Sequence, residues 1–394
     1  MSKFFRRHFL QAASATIVTA GLHQTQLLRH QSVLAQPTSR KLALIIGIND
    51  YPDRPLYGCI NDAILQKQLL IHRFGFNPRD VMLLLNKDAT RQGILDAIEE
   101  HLIKQAKPGD VVVLHFSGHG SLVHDPDPIY VSPTGKGFAG TLVPIDAILP
   151  KDAANQGGVV ADIMGHTLFL LMSAIETKNL TVVLDSCHSG ASTRQIRVRA
   201  REGGQNIKIS PQEKTYQARW LDRLGWSREE FVQRYRRGIA NGVILAATQP
   251  EQLAIDEQLN GFVAGAFSYR LTQHLWQQNS TPDRTIAAIQ SQLPDNYSQQ
   301  PKLEVEVGTD YGKRPSYFIE NPRTAGHALV VETSGDRAQL LIVGIDPGEI
   351  ESGKVFVSSN RLGRVEVIAR EGLSVTGKIG GVMEKGTVLQ LQKS

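Results

Sequence analysis

The chain has 394 residues, 41% of them apolar, which is long for one domain, comfortable for two and enough for a sizeable core. A formal charge of +5 from scattered basic residues, with no basic stripe interleaved with aromatics, argues against nucleic acid as a partner. Two cysteines, Cys59 and Cys187, exclude a disulfide framework and leave at most one bridge.

The chain opens with Phe5-Arg6-Arg7-His8-Phe9-Leu10 and a mild apolar run to Leu22. That run is too short to span a bilayer, which takes about 20 residues. Adjacent arginines before such a run resemble a twin-arginine export signal, and Val33-Leu34-Ala35 ahead of Gln36 offers small residues to a signal peptidase. Residues 1–35 are therefore read as an export segment, with the mature chain in the periplasm or an equivalent compartment. A basic tail on a cytoplasmic protein is the alternative.

From Lys41 short apolar runs alternate with helical stretches. Lys41–Ile48 reads as a strand buried on both faces, Ile60–Arg73 as a helix, and Asp80–Asn86 as a second strand. Asp88-Ala89-Thr90 opens a helix carrying Ile94, Leu95, Ile98, Leu102 and Ile103. Val111–Ser117 is a third strand, a Gly/Pro-rich loop follows, Asp162–Thr177 is helical, and Leu180–Asp185 is a fourth strand. Gly242–Thr248 and Arg314–Glu320 read as later strands flanking a helix at Ala264–Gln278. This alternation predicts an α/β fold, a mostly parallel sheet between helices. Past Asn321, six β-type runs begin at His327, Ala338, Lys354, Arg364, Leu373 and Thr387. Their spacing of about ten residues predicts a small all-β barrel or sandwich over 325–394.

Two polar, glycine-rich segments directly follow the third and fourth strands: Ser117-Gly118-His119-Gly120 and Asp185-Ser186-Cys187-His188-Ser189-Gly190. Ligands of open α/β sheets bind beyond the carboxyl ends of the strands. One segment brings an imidazole there and the other a thiol, the two parts of a nucleophile and its base. Amides of the glycine-rich turns, Gly120, Cys187 and Gly190 among them, can serve a developing oxyanion. His115 lies inside a strand, where a structural role fits better; His124 and His188 are rival bases. No CxxC or HExxH spacing supports a metal site.

These motifs closely resemble those of the metacaspases and their bacterial relatives, the orthocaspases. Upstream Leu44–Asp50 and Gly58–Ala63 and downstream Gly265–Trp276 extend the similarity across Lys41–Glu320. The resemblance implies the caspase-hemoglobinase fold over 41–320, with a large portion (41–193), a basic linker (194–238) and a small portion (239–320). It implies a cysteine endopeptidase with His119 as base and acid and Cys187 as nucleophile. In the family, positions matching Asp62, Ser117 and Asp185 line the pocket for an Arg or Lys before the cut bond, so the implied partner is a peptide or protein with such a residue. Cys59 reads as a buried structural thiol. Calcium-dependent relatives carry several acidic residues where Val159–Met164 holds one, Asp162; with Asp146 and Asp152 as the other candidates, no cofactor is expected. The family often cuts its own linker, which makes Arg194, Arg197, Arg199, Arg201, Arg236 and Arg237 candidate self-processing sites. Metacaspases are typically monomeric, and a monomer is expected. The competing readings are an idle caspase-like scaffold binding partners through its β domain, and a legumain- or gingipain-like specificity.

Overall fold

The computed structural model describes residues 39–131, 137–151, 153–187, 197–201, 204–249 and 251–392. Residues 1–35, expected to be an export segment, and Arg194, His188, Gly190 and Asp152 lie outside them. In chain order the main elements up to residue 305 begin with β1 (Lys41–Gly47), α1 (Cys59–Gln68), β2 (Val81–Leu85), α2 (Arg91–Ala97) and β3 (Val111–Ser117). There follow β4 (Gly120–His124), β5 (Phe138–Leu142), β6 (Gly158–Val160), β7 (Ile163–Met164), α3 (Gly165–Ser173), β8 (Asn179–Asp185) and β9 (Gly204–Ile209). Then come α4 (Pro211–Leu224), α5 (Arg228–Arg236), β10 (Val243–Ala246), β11 (Asp256–Gln258), β12 (Val263–Gly265), α6 (Ala266–Gln277), α7 (Pro282–Gln292) and β13 (Lys302–Val305).

The main sheet has six strands in the order β13-β10-β8-β3-β1-β2, parallel except for β13. The apolar run of β1 is split by the two-residue strand period. Ala43 and Ile45 join the core beneath α1, α6 and α7, whereas Leu42, Leu44 and Ile46 join the core beneath α2, α3 and α4. A five-stranded second sheet, β6-β9-β4-β5-β7, is built largely from the Gly/Pro-rich stretch.

The stretch expected as a basic linker contains a strand and two helices. Ser210 accepts the N–H of Glu213 at 3.3 Å and Pro211 occupies the first turn, so the sequence starts a helix there. Glu213, fully buried, accepts from the Met164 amide at 2.9 Å and from Thr167, and pairs with Arg91. These bonds, with buried Tyr216 and Trp220, hold α4 to the sheet layer. Arg314–Glu320 is not a strand. Pro315 has no N–H to give to a ladder, and Tyr317 and Phe318 take left-handed φ of 54° and 55°. That turn buries Tyr317, whose hydroxyl accepts from Gln66 at 2.8 Å, and the sheet edge goes to β13 instead.

The six C-terminal runs become β14 (Ala328–Ser334), β15 (Arg337–Ile342), β16 (Val355–Ser358), β17 (Gly363–Glu371), β18 (Ser374–Gly381) and β19 (Val388–Leu391). They close into a barrel in the order β14-β15-β18-β17-β16-β19, which removes every strand edge. Its interior is filled by Leu340, Phe356, Val365, Val375 and Leu389 and is continuous with the core under α6. The barrel also touches the turn joining β11 and β12: Arg370 donates to the Asn260 carbonyl at 2.9 Å, and Asn260 donates to Asp346 at 2.9 Å. Phe356→Ala is expected to lower the unfolding free energy by about 3–5 kcal/mol, read from urea unfolding; an unchanged midpoint would contradict this account of the core.

Candidate active site

Parallel β3 and β8 are neighbours, with Ser117 opposite Asp185, so the segments after them leave the same edge of the sheet. His119 and Cys187 each follow two residues later, and both are buried. The His119 amide donates to the Tyr51 hydroxyl at 3.0 Å, and that hydroxyl donates to the Val143 carbonyl at 2.8 Å. The Tyr51 ring lies 4.5 Å from the imidazole, centroid to centroid. Gly118 permits this approach, since a Cβ there would press on the Tyr51 hydroxyl.

His119 Nε2 lies 2.7 Å from the Arg54 carbonyl. A carbonyl only accepts, so Nε2 carries the proton and Nδ1 the lone pair. Nδ1 has no hydrogen-bond partner among the described residues. Burial pulls the imidazole down to about 4, with the Arg54 carbonyl opposing. Burial pushes the Cys187 thiol up to about 12, although the Ala254 amide favours the thiolate. The closed cleft therefore holds the two groups as neutral thiol and neutral imidazole.

The other candidates sort by their contacts. His115 is fully buried with Nε2 2.9 Å from the Ser117 hydroxyl, and burial takes it down to about 3. The Ser117 hydroxyl is thus paired with that histidine. His124 is half-buried on β4. Cys59 is a core residue whose thiol burial pushes far up, and both cysteines are free. Asp146 accepts the Arg91 amide at 2.8 Å at the start of α2. Asp162 is engaged by Thr141 and Arg201, each at 2.6 Å.

Residues 197–201 run through the cleft between these elements. Val198 bridges Ile255 antiparallel, the Arg199 amide donating to the Ala254 carbonyl at 2.9 Å and the Asp256 amide to the Arg197 carbonyl at 3.0 Å. The Arg199 carbonyl accepts from the amides of Gly120 at 3.0 Å and Cys187 at 3.2 Å. These are the two amides expected to face an oxyanion. The Arg199 guanidinium, fully buried, pairs with Asp62 at 2.7 Å, Asp256 at 2.9 Å and Asp185 at 3.2 Å. Its desolvation is outweighed by these carboxylates, which hold its pKa well above the ordinary value. Asp62 moves the other way from a typical ion-paired acid. Burial raises it to about 7, Arg199 pulling down and Asp185 pushing up.

The pocket walls come from four elements. The Gly265 amide at the start of α6 donates to Asp62 at 2.9 Å, and the Ser268 amide to Asp185 at 3.0 Å. The amides of Tyr57 and Gly58 donate to Asp256 at 2.9 and 3.1 Å. A side chain at Gly265 would collide with Asp185 and the guanidinium, so glycine there makes the room. Beyond Arg199, the Arg201 amide donates to the Gly120 carbonyl at 2.8 Å. Its guanidinium reaches Asp162 and donates to the Ala147 carbonyl at 2.8 Å. A cleft of about 280 Å³ lies alongside, lined by His119, Tyr51, Arg54, Val143 and Arg201 among others. Arg197 is exposed, its guanidinium 4.1 Å above the Tyr57 ring. Arg236 and Arg237 close α5 at the surface, away from any such cradle; Arg236 donates to the Ile129 carbonyl at 3.1 Å.

The family description of the caspase domain, peptidase C14, matches residues 40–310. The chain belongs to that family. It is a cysteine-type peptidase of caspase-like fold, and the match ends before the first barrel strand. Metacaspase-1 of Schizosaccharomyces pombe is 26% identical over 297 residues, 67% of this chain and 67% of its own. Metacaspase-1B of Aspergillus fumigatus is 29% identical over 299 residues, 68% of this chain and 69% of its own. A crystal structure of a protein from Geobacter sulfurreducens overlays on 71% of this chain and 99% of its own, with a TM-score of 0.49 and 22% identity.

Sequence reading of this peptidase did not find Asp256, Tyr51 or the Arg54 carbonyl. Asp256 belongs to no motif and stands beside Glu257 in a short strand, so nothing local marks it as a pocket residue. Gly58, whose missing side chain makes room for the Asp256 carboxylate, is the one trace it leaves. A backbone carbonyl such as that of Arg54 leaves none.

Proposed function

We propose that this peptidase cuts polypeptides after Arg or Lys, with Cys187 as nucleophile and His119 as base and then acid, and that it processes itself in its basic stretch. One observation carries the reading. Asp62, Asp185 and Asp256 surround a single guanidinium in a buried pocket that ends at the amides of Gly120 and Cys187. A charged fork held by that many carboxylates is the strongest pairing an arginine makes. An acidic side chain in the same place would meet only like charge.

Each step of the reaction uses one of these groups. His119 takes the Cys187 proton on Nδ1 while Arg54 holds Nε2–H. The thiolate attacks the carbonyl carbon of the residue in the pocket, and its oxygen gains charge against the Gly120 and Cys187 amides. His119 then returns the proton to the departing amine. Action as a monomer is part of this reading. Export through residues 1–35 belongs to the same proposal, and among the described residues no helix is long and apolar enough to cross a membrane.

The test is hydrolysis of reporter peptides that differ only in Arg, Lys, Asp or Asn before the cut bond. Arg and Lys peptides are expected to exceed Asp peptides in kcat/KM by at least about a thousandfold, since burying like charges costs several kcal/mol. Preference for Asp or Asn would overturn the pocket. Hydrolysis of none of them would favour the idle scaffold.

A further inference from the structure

We infer that Arg199–Ala200 is the bond this peptidase cuts in itself, and that residues 197–201 are a resident substrate filling the cleft until that cut is made. The inference rests on the Arg/Lys reading above and adds the bond, the order of events and the state of the uncut chain.

The segment is held across the bond as a bound substrate is held. On the amino side, the Arg199 amide and the Arg197 carbonyl pair with Ala254 and Asp256 as an added strand, a common way for a sheet edge to take a peptide. At the bond itself, the Arg199 carbonyl receives both oxyanion amides while its side chain fills the acidic pocket. On the carboxyl side, Ala200 pairs with Gly120, and Arg201 is anchored at Asp162 and Ala147. Of the described candidates, Arg197, Arg201, Arg236 and Arg237 have no comparable carbonyl position. With the Arg199 side chain seated in the acidic pocket and its carbonyl on both amides, no other substrate can enter, so the uncut chain is latent toward other polypeptides.

The step balances without any added reagent but water. Cys187 sulfur bonds the Arg199 carbonyl carbon, the bond to the Ala200 nitrogen breaks, and that nitrogen takes the proton held by His119. Water, losing its proton to His119, then displaces the sulfur and leaves an Arg199 carboxylate and a free thiol. Because the substrate is already seated, the reaction is intramolecular and independent of chain concentration. The new end at Arg199 is free to leave, while Ala200 stays tied through Arg201 and β9, and the acidic pocket opens to other substrates.

The experiment follows the full wild-type chain and its Cys187→Ala variant by intact mass and N-terminal sequencing. Wild type is expected to give one fragment ending at Arg199 and one beginning at Ala200, at a rate unchanged over about a hundredfold range of concentration. The Cys187→Ala chain is expected to remain single even when mixed with cut enzyme, because its bond lies in its own closed cleft. Ala200→Pro blocks the cut while keeping the segment seated, since the pairing with Gly120 uses the Arg199 carbonyl and the Arg201 amide. That variant should hydrolyse Arg peptides at least about tenfold more slowly than cut wild type.

A first cut at any other bond, or equally fast cutting of the Cys187→Ala chain in trans, would overturn the inference. So would full peptide hydrolysis by an uncut Ala200→Pro chain, and the first two readouts decide even if that variant does not fold. Hydrolysis after Arg by a chain cut elsewhere removes this inference and leaves the Arg/Lys reading in place; hydrolysis only after Asp or Asn removes the reading itself.

Discussion

Alanine at Cys187 is expected to end peptide hydrolysis, and alanine at His119 to lower kcat/KM about a thousandfold, within the range a positioned acid–base contributes. Both variants should fold. Cys187 is one small buried side chain, and among the described residues the His119 ring makes one hydrogen bond, to the Arg54 carbonyl. Retention of more than a tenth of the activity by His119→Ala would transfer the base to another histidine. The pH profiles supply a second readout. His119 accepts a proton only when neutral, and burial pulls it down to about 4 in the filled cleft. A bound substrate recreates that burial, whereas the cut, empty cleft admits water and returns the imidazole toward its ordinary 6.5. The acid limb of kcat, which reports the occupied enzyme, should therefore lie at lower pH than that of kcat/KM, which reports the free enzyme. Coincident limbs would contradict burial as the cause of the shift.

Much of this molecule was legible in the sequence because its signals are local. The unbroken apolar run of β1, the alternating runs of the barrel and the glycine-rich turns after β3 and β8 each announce themselves within about ten residues. The motifs around His119 and Cys187 are local in the same way, whereas Asp62 and Asp185 were singled out as pocket acids only through the resemblance to metacaspases. What escaped depends on long-range pairing. Asp256 becomes part of the pocket because β11 lies beside the 197–199 strand, a relation no spacing encodes. Arg199 was one of six equivalent-looking arginines until its carbonyl was placed on two amides. The folded stretch 204–236 was hidden by its charge. Its helices show few apolar residues, and what fixes them is buried Glu213, whose partners Arg91, Met164 and Thr167 lie far off in sequence. Arg314–Glu320 misled in the opposite direction, offering aromatic and branched residues of strand type around a proline that ends any ladder.

Asparagine at Asp256 is expected to cut kcat/KM for Arg peptides by about 10²–10³-fold, the usual cost of removing one partner of a buried charge pair. Asp256 sits on the same guanidinium nitrogen as Asp62, at 2.9 and 2.7 Å, so their substitutions invite direct comparison. They should not be equivalent. Burial and the nearby Asp185 raise Asp62 to about 7, so near neutrality it carries only part of its charge even when the pocket is filled. Asp62→Asn therefore removes less attraction, and its loss should be several-fold smaller than that of Asp256→Asn. The gap between the two is expected to shrink as pH rises above 7 and Asp62 ionises fully. Lys peptides should suffer less than Arg peptides from either change, because one ammonium does not reproduce the fork that spans Asp185 on one nitrogen and Asp62 with Asp256 on the other. Steady-state kinetics on matched Arg and Lys peptides, with the cut enzyme at several pH values, measures all of this. Equal losses at every pH would mean that the three carboxylates act as one charge, and that Asp62 is ionised throughout.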